Sequence, residues 1–454
     1  MTIPNRSVTP DLIRYMAQAA TAPVPPQVLA KAKNHILDTL AAMISGTTIK
    51  PGKFALSYIA QQGGNPEAQV VGSQIVTSAI NAAMANGMLA HSDETDDSNG
   101  SAGIHPGCAV IPAALAMAER ENAGGAVLLR AVILGYDIGS RTTKALGRDA
   151  MRKRNHLPFS IGGTLGATAA AGCVARLSEV EFRHLLSCGA QQASGVMTYA
   201  RDTEHIEKAF IFGGMTARNG VTAATLLQNG YTGVYDVFDG DGNFLLAYAE
   251  RANAQELTAE LGSRYEVMLT NIKKYCVGFP IQSALEGLTD LMAVHQLKAD
   301  QVERITTRIP ESGAHTVNDR EMPDINLQYL FAVTLLDGRC TFEAAHSFER
   351  MKDPAVLDLK KKMTLIGDPE LTRARPEHQA IVQIVMRDGH KLDKRVTTVR
   401  GRADNPLTVA EVEEKADELL APVLGQPRTR QLMDAVNKLE TVASMRDLRP
   451  LLRA

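Results

Sequence analysis

Residues 76–120 read VTSAINAAMANGMLA, then HSDETDDSNGSAGIHPG from His91 to Gly107, then CAVIPAALAMAER. The outer segments are helix-length and dominated by Ala, with Leu, Ile, Val and Met between. Helices of such small residues approach one another closely and are buried on most sides. The stretch therefore decides for a large all-helical core with a polar loop set into it. That loop brackets Asp93, Glu94, Asp96 and Asp97 between His91 and His105. Acids and imidazoles on a loop between buried helices are placed to move protons. The competing reading is a solvated acidic loop, since loops are polar by default. Matching cations elsewhere in the chain favour the first reading.

Working outward, Thr9-Pro10-Asp11 reads as an N-cap with proline at the first helical position,. The segment 28–46 puts Leu29, Ala32, Ile36, Leu40, Met43 and Ile44 on one stripe, with Gly46 as a stop,. Further helices are expected near 76–90, 109–120, 125–145, 160–177, 180–193 and 213–228. The pattern changes near residue 264. Alternation appears at Val302–Ile309 and at Ala380–Met386. After the turn Arg387-Asp388-Gly389-His390 comes a return strand, KLDKRVTTV, which is a hairpin signature,. Helices are expected between the strands at about 281–296, 325–337 and 341–351. After Asn405-Pro406 the chain is helical again, with Thr408 and Glu411 spaced as a capping box,. The expected fold is mainly α with a smaller α/β domain: a helical domain from 1–264 and 401–454, and an α/β lid domain at 265–400.

The 454 residues are 45% hydrophobic and 22% charged, with a net charge of −2, which is ordinary globular usage with no basic excess for nucleic acid or a membrane surface,. The five cysteines form no CxxC and their number is odd, which fits thiols in a reducing cytoplasm,. The N-terminal residues carry no apolar signal-peptide core. Polar residues interrupt every apolar stretch before about 18 positions, so no membrane span is expected.

Four further sites could do chemistry. His156 follows Arg152-Lys153-Arg154-Asn155, ahead of the helix SIGGTLGATAAAG, and helix N-termini favour anions,. IGGTLG follows no strand and is no dinucleotide fingerprint. Lys208 ends the charged run 201–208 and could bind a carboxylate as a point charge. Lys273 lies in IKKYCVGFPIQ, where Cys276 reads as a structural thiol,. Tyr329 sits on the apolar helix INLQYLFAVTLLDG, where a core role with a satisfied hydroxyl is the default. The loop acids do not follow a calcium-loop pattern and no HExxH occurs, so no metal is expected. A serine-hydrolase elbow, GxSxG, is missing too.

In order along the chain stand ILDTLAAMISG, ANGMLAHSDETDD, HPGCAVIPAALA, LLRAVILGYDIGSR, NHLPFSIGGTLGATAAA, EKAFIFGGMTARNGVTAA, IKKY and LQYLFAVTLLDG. With these the chain resembles the MmgE/PrpD family over nearly its whole length. That family includes 2-methylcitrate dehydratase, cis-aconitate decarboxylase and iminodisuccinate epimerase. The resemblance implies a helical domain built from both chain ends, a smaller lid, a homodimer, and no cofactor or metal. It carries the family's site onto His105, His156, Lys208, Lys273 and Tyr329. The acidic position falls on Glu94 rather than Asp, and Gln282 stands where the family commonly has His. In the expected chemistry His105 is the general acid or base, and Glu94 or Asp97 orients it. Lys208, Lys273 and His156 clamp a small polycarboxylate, Gln282 lines the same site, and Tyr329 donates to a carboxylate or leaving group. Dehydration of a 2-methylcitrate-like hydroxy acid is the leading reaction. Decarboxylation and epimerisation use the same residues. A non-catalytic carboxylate-binding relative is the reading from another class, and only Gln282 favours it.

Overall fold

The computed structural model describes residues 7–454. The chain divides into two compact units. One takes the described residues up to Ser92, then Asp96–Asn271 and Val409–Ala454. The other takes Asp93–Thr95 and Ile272–Thr408.

Counting helices of ten residues or more, the first unit runs α1 (Thr9–Gln18), α2 (Pro26–Gly46), α3 (Lys50–Ile59), α4 (Ala79–Ala90), α5 (Pro106–Arg120), α6 (Gly125–Leu146), α7 (Pro158–Val174), α8 (Glu179–Gln192) and α9 (Met215–Gln228). Proline at the first turns of α2, α3, α5 and α7 removes an N–H that would find no helical partner,. Ser78 caps α4, and Ser178 with Glu181 forms a capping box on α8,. Thr9 differs from expectation: Val8 is the capping residue, and the Thr9 hydroxyl is spent on Asp239.

The small-residue pattern acts through close approach of backbones. A methyl group at Gly139 of α6 would lie 2.7 Å from the Gly162 carbonyl oxygen of α7, and one at Gly166 would lie 2.7 Å from that of Gly135. The glycines of IGGTLG thus serve helix packing. Gly87 of α4 meets Gly213 as closely, in a π-helical turn, Phe210–Gly214, that precedes α9. Such turns are rare inside helices and recur at functional sites. α4 ends with His91 as its C-cap, and α5 begins with His105 as its N-cap.

The second unit holds α10 (Gln282–His295), strand β1 (Val302–Pro310), α11 (Leu327–Asp337), β2 (Met363–Asp368), β3 (Ala380–Met386) and β4 (Lys391–Val396). The sheet order is β2-β1-β3-β4, with β1–β2 parallel and the other pairs antiparallel. The hairpin turn is as read, with Gly389 at φ 90°. Ile305 and Ile309 of β1 and Val382 and Ile384 of β3 bury against Leu285 and Leu288 of α10 and Leu330 and Phe331 of α11. Strand β2 was missed because MTLIGD alternates poorly and buries little beyond Asp368. The expected helix 341–351 stops at Ala345, with His346 as its C-terminal cap. The chain returns to the first unit with α12 (Val409–Leu424) and α13 (Gln426–Asn437). Among the described residues no helix is long and apolar enough to cross a membrane.

Candidate active site

The acidic loop is not solvated. Asp93, Glu94, Asp96 and Asp97 are each at most 6% exposed. Buried carboxylates need partners, because desolvation otherwise costs several kcal/mol. Each of the four has a different set.

Asp96 lies between two imidazoles. Its Oδ2 meets His91 Nδ1 at 3.0 Å and its Oδ1 meets His105 Nδ1 at 3.1 Å. Burial pushes against its ionisation, yet the two histidines hold it well below the usual carboxylate range. An ionised carboxylate only accepts, so both Nδ1 atoms carry protons and each Nε2 is the basic nitrogen. Burial holds the fully enclosed His91 below its ordinary value, and Lys208 adds to that effect. Phe212 from the π-helical turn stacks on His91 at 4.6 Å and 9°. Phe159 from the first turn of α7 stacks on Phe212 and lies 5.2 Å from the His105 ring. Lys208 holds its ammonium 5.3 Å from the Phe212 ring centre. His205, at φ 62° in the left-handed region uncommon outside glycine, packs 5.2 Å from His91,. The first unit thus gathers His105 and Lys208 around Asp96, and adds His91, His205 and the two phenylalanines.

Asp97 turns the other way. Its Oδ2 accepts from His35 Nδ1 at 2.7 Å and from Tyr136 at 2.5 Å, and its Oδ1 accepts from the Gly107 amide at 2.9 Å. The expectation that Glu94 or Asp97 orients His105 is corrected for the imidazole contact: the carboxylate on its ring is Asp96. The two neighbouring aspartates face different ways, Asp96 to the imidazoles of His91 and His105 and Asp97 to His35, Tyr136 and the Gly107 amide.

In the second unit Glu94 is matched by Lys273, whose ammonium donates to the Glu94 carbonyl at 2.7 Å and lies 3.4 Å from its carboxylate. Asp93 meets His346 Nε2 at 2.7 Å, and His346 Nδ1 lies 2.7 Å from the Phe342 carbonyl. This doubly engaged imidazole explains why the helix stops there. Burial opposes its charge, but Asp93 outweighs burial and pushes His346 up to about 9. A histidine raised above its unfolded value, ordinarily about 6.5, stabilises the fold fully below that value. The contribution is lost as pH rises through the folded one. Stability from this pair, on the order of 3 kcal/mol, should therefore decline between about pH 6.5 and 9. Denaturant unfolding of the wild type across that range should show the decline, and His346→Gln should flatten it. Parallel curves for the two proteins would remove the pair from the stability account.

Two further expectations are corrected. Tyr329 is fully buried, and its single hydroxyl proton goes to the backbone carbonyls of Ala344 and Ser347. That proton is committed to the core rather than to a ligand. Gln282, also buried, donates to the carbonyls of Tyr275 (2.8 Å) and Val277 (3.0 Å) and accepts from the Tyr275 amide (3.1 Å). At the first residue of α10 it folds back to fasten the preceding loop, so its polar atoms serve the backbone. His156 is half-buried with its ring 5.2 Å from Tyr248. Cys276 is half-buried.

His91, Asp96 and His105 offer donor atoms within 4.8 Å of one another, a set able to hold a metal ion. Both histidines spend Nδ1 on Asp96, so a metal bound through those nitrogens would displace both Nδ1 protons. His35, His91, Asp96 and His346 were given no individual role in the sequence, where His91 and Asp96 stood only as members of the acidic loop. The signal for the first two was polarity inside apolar helical runs, in KNHILDTL and at the end of GMLAH.

Residues 10–257 match the MmgE/PrpD N-terminal domain, and residues 275–441 the MmgE/PrpD C-terminal domain. A cis-aconitate decarboxylase-like protein of Aspergillus oryzae, oryM, is 26% identical and covers 99% of this chain and 98% of its own length. The cis-aconitate decarboxylase of Homo sapiens is 28% identical, covering 94% and 90%. The 2-methylcitrate dehydratase-like protein oryR of Aspergillus oryzae is 29% identical over 35% of this chain and 34% of its own.

Proposed function

The chain belongs to the MmgE/PrpD family, and from that premise we propose that it is a lyase acting on a small di- or tricarboxylate by proton transfer next to a carboxylate. One observation carries the reading: the His105 imidazole is held through Nδ1 by a buried, ionised Asp96, which leaves Nε2 to take or give a proton,. When Nε2 is protonated, the Asp96 charge stabilises the imidazolium. Lys208 supplies positive charge for a substrate carboxylate and for the carbanion that forms beside it. His156 and Lys273 remain candidates for holding further carboxylates, Lys273 by sharing its charge with Glu94. The homodimer, which rests on the resemblance, and the cytoplasmic location, which rests on the odd number and the spacing of the cysteines,, belong to the same proposal.

Decarboxylation of cis-aconitate is the reaction to try first, because relatives that align over nearly the whole chain carry that name. The bond to the departing carboxylate breaks, CO2 leaves, and its electron pair stays on the carbon skeleton. His105 then delivers a proton to carbon. Dehydration of a 2-methylcitrate-like acid is the second reading, supported by the shorter match to oryR. There His105 removes the proton beside the carboxylate, the C–O bond breaks as the double bond forms, and the proton passes from His105 to the departing hydroxyl, which leaves as water. The order read from the sequence changes for this reason. Incubation with cis-aconitate, 2-methylcitrate and amino-dicarboxylates, followed by proton NMR, should show turnover of one of them. Binding without turnover of any would favour the non-catalytic reading.

The reading is cofactor-free. EDTA should leave turnover unchanged. Loss of activity restored by a divalent ion would instead make His91, Asp96 and His105 metal ligands,.

A further inference from the structure

Behind the imidazole cluster lies a second buried group that the proposed reaction does not use. Asp97, His35 and Tyr136 are each 0% exposed. His35 of α2 and Tyr136 of α6 pack edge to face at 5.3 Å and both donate to one oxygen of Asp97. The other oxygen accepts the Gly107 amide, two residues beyond His105. Gly107 has no room for a side chain: a Cβ would lie 2.7 Å from the Thr39 hydroxyl and 2.8 Å from Asp97 Oδ1. Lys31 and Asp38 are close enough to act on this patch electrostatically, and Lys415 pairs with Asp38 at 2.6 Å. The tripeptide His105-Pro106-Gly107 is therefore gripped twice. Asp96 holds the imidazole, and Asp97 holds the backbone.

We propose that Asp97, His35 and Tyr136 are positioning residues that hold His105 in register for proton transfer through the Gly107 amide. This rests on the reading of His105 as the proton carrier. Burying a carboxylate with three donors is costly unless its geometry is fixed. What the arrangement provides is a rigid start to α5. Displacement of a catalytic group by about 1 Å costs up to about a hundredfold in rate, so loosening the anchor should appear in kcat rather than in KM.

The test compares Tyr136→Phe, His35→Asn, His35→Gln and His105→Gln on whichever acid the wild type turns over. Asn places an N–H where Nδ1–H was, and Gln places it where Nε2 was. Loosening the anchor should lower kcat by about tenfold to a hundredfold in Tyr136→Phe and His35→Gln. KM should stay nearly constant, and the limb of the kcat–pH profile that reports His105 should move. His35→Asn should recover most of kcat. A merely structural role would lower the unfolding midpoint and leave the kcat and pH profile of the folded protein as in wild type. That result, or equal kcat in His35→Asn and His35→Gln, overturns the proposal even if Tyr136→Phe fails to fold. If His105→Gln itself keeps wild-type turnover, the proton-carrier reading fails and takes this inference with it. If His105→Gln is inactive while the other three match wild type, only this inference fails.

Discussion

His105→Gln is expected to lower kcat by about 10²–10⁴-fold, the usual contribution of a positioned general acid or base. Glutamine keeps an N–H near the position of Nε2 but neither takes nor gives a proton. The residue sits on a loop, its side chain is 10% exposed, and its ring contacts with Phe159 and Phe212 are 5.2 and 5.8 Å between centres. The change leaves no large cavity but takes the Nδ1–H donor from the buried Asp96, so the unfolding midpoint should fall modestly while kcat falls by far more. Steady-state kinetics alongside a thermal melt separates the two effects. A variant that retains more than about a tenth of wild-type kcat, well short of that factor, would show that His105 is not the proton carrier.

Asp96→Asn should cost a similar factor, about 10²–10⁴ in kcat, for a different reason. The carboxylate accepts from two Nδ1–H groups. An amide has one acceptor oxygen and turns a donor toward the other ring, forcing that imidazole into the opposite tautomer. It also removes the charge that stabilises the imidazolium of His105. KM should change less than kcat, because Asp96 faces the histidines. Equal falls in Asp96→Asn, His105→Gln and the double variant would show that the pair acts as a unit. Unchanged kcat in Asp96→Asn would leave His105 without its orienting partner.

Much of the fold was legible because local signals and the global pattern agreed. The proline in the first turn of α1, the Ala/Gly helices and the Asp-Gly hairpin each have one structural solution,. Strand β2 was not, since an edge strand that buries little need not alternate. The site was legible as a set of groups and not as a set of pairs. The sequence places four acids within five positions but does not say which way each faces. Their partners lie far off: Asp97 and His35 are 62 positions apart, Glu94 and Lys273 are 179 apart. Only the tertiary fold distinguishes Asp96, on the imidazoles, from Asp97, on the core. Tyr329 and Gln282 show the converse. Both sit in family-like motifs, and both direct their polar atoms at backbone groups.

The most direct test of a metal-free proton transfer by His105 is turnover in D2O with EDTA present, followed by NMR of the product. For decarboxylation the account predicts deuterium at one carbon beside a carboxylate with the wild type, and a rate of incorporation that falls with kcat in His105→Gln. Incorporation at the wild-type rate by His105→Gln, or none by a wild type that decarboxylates its substrate, would contradict it.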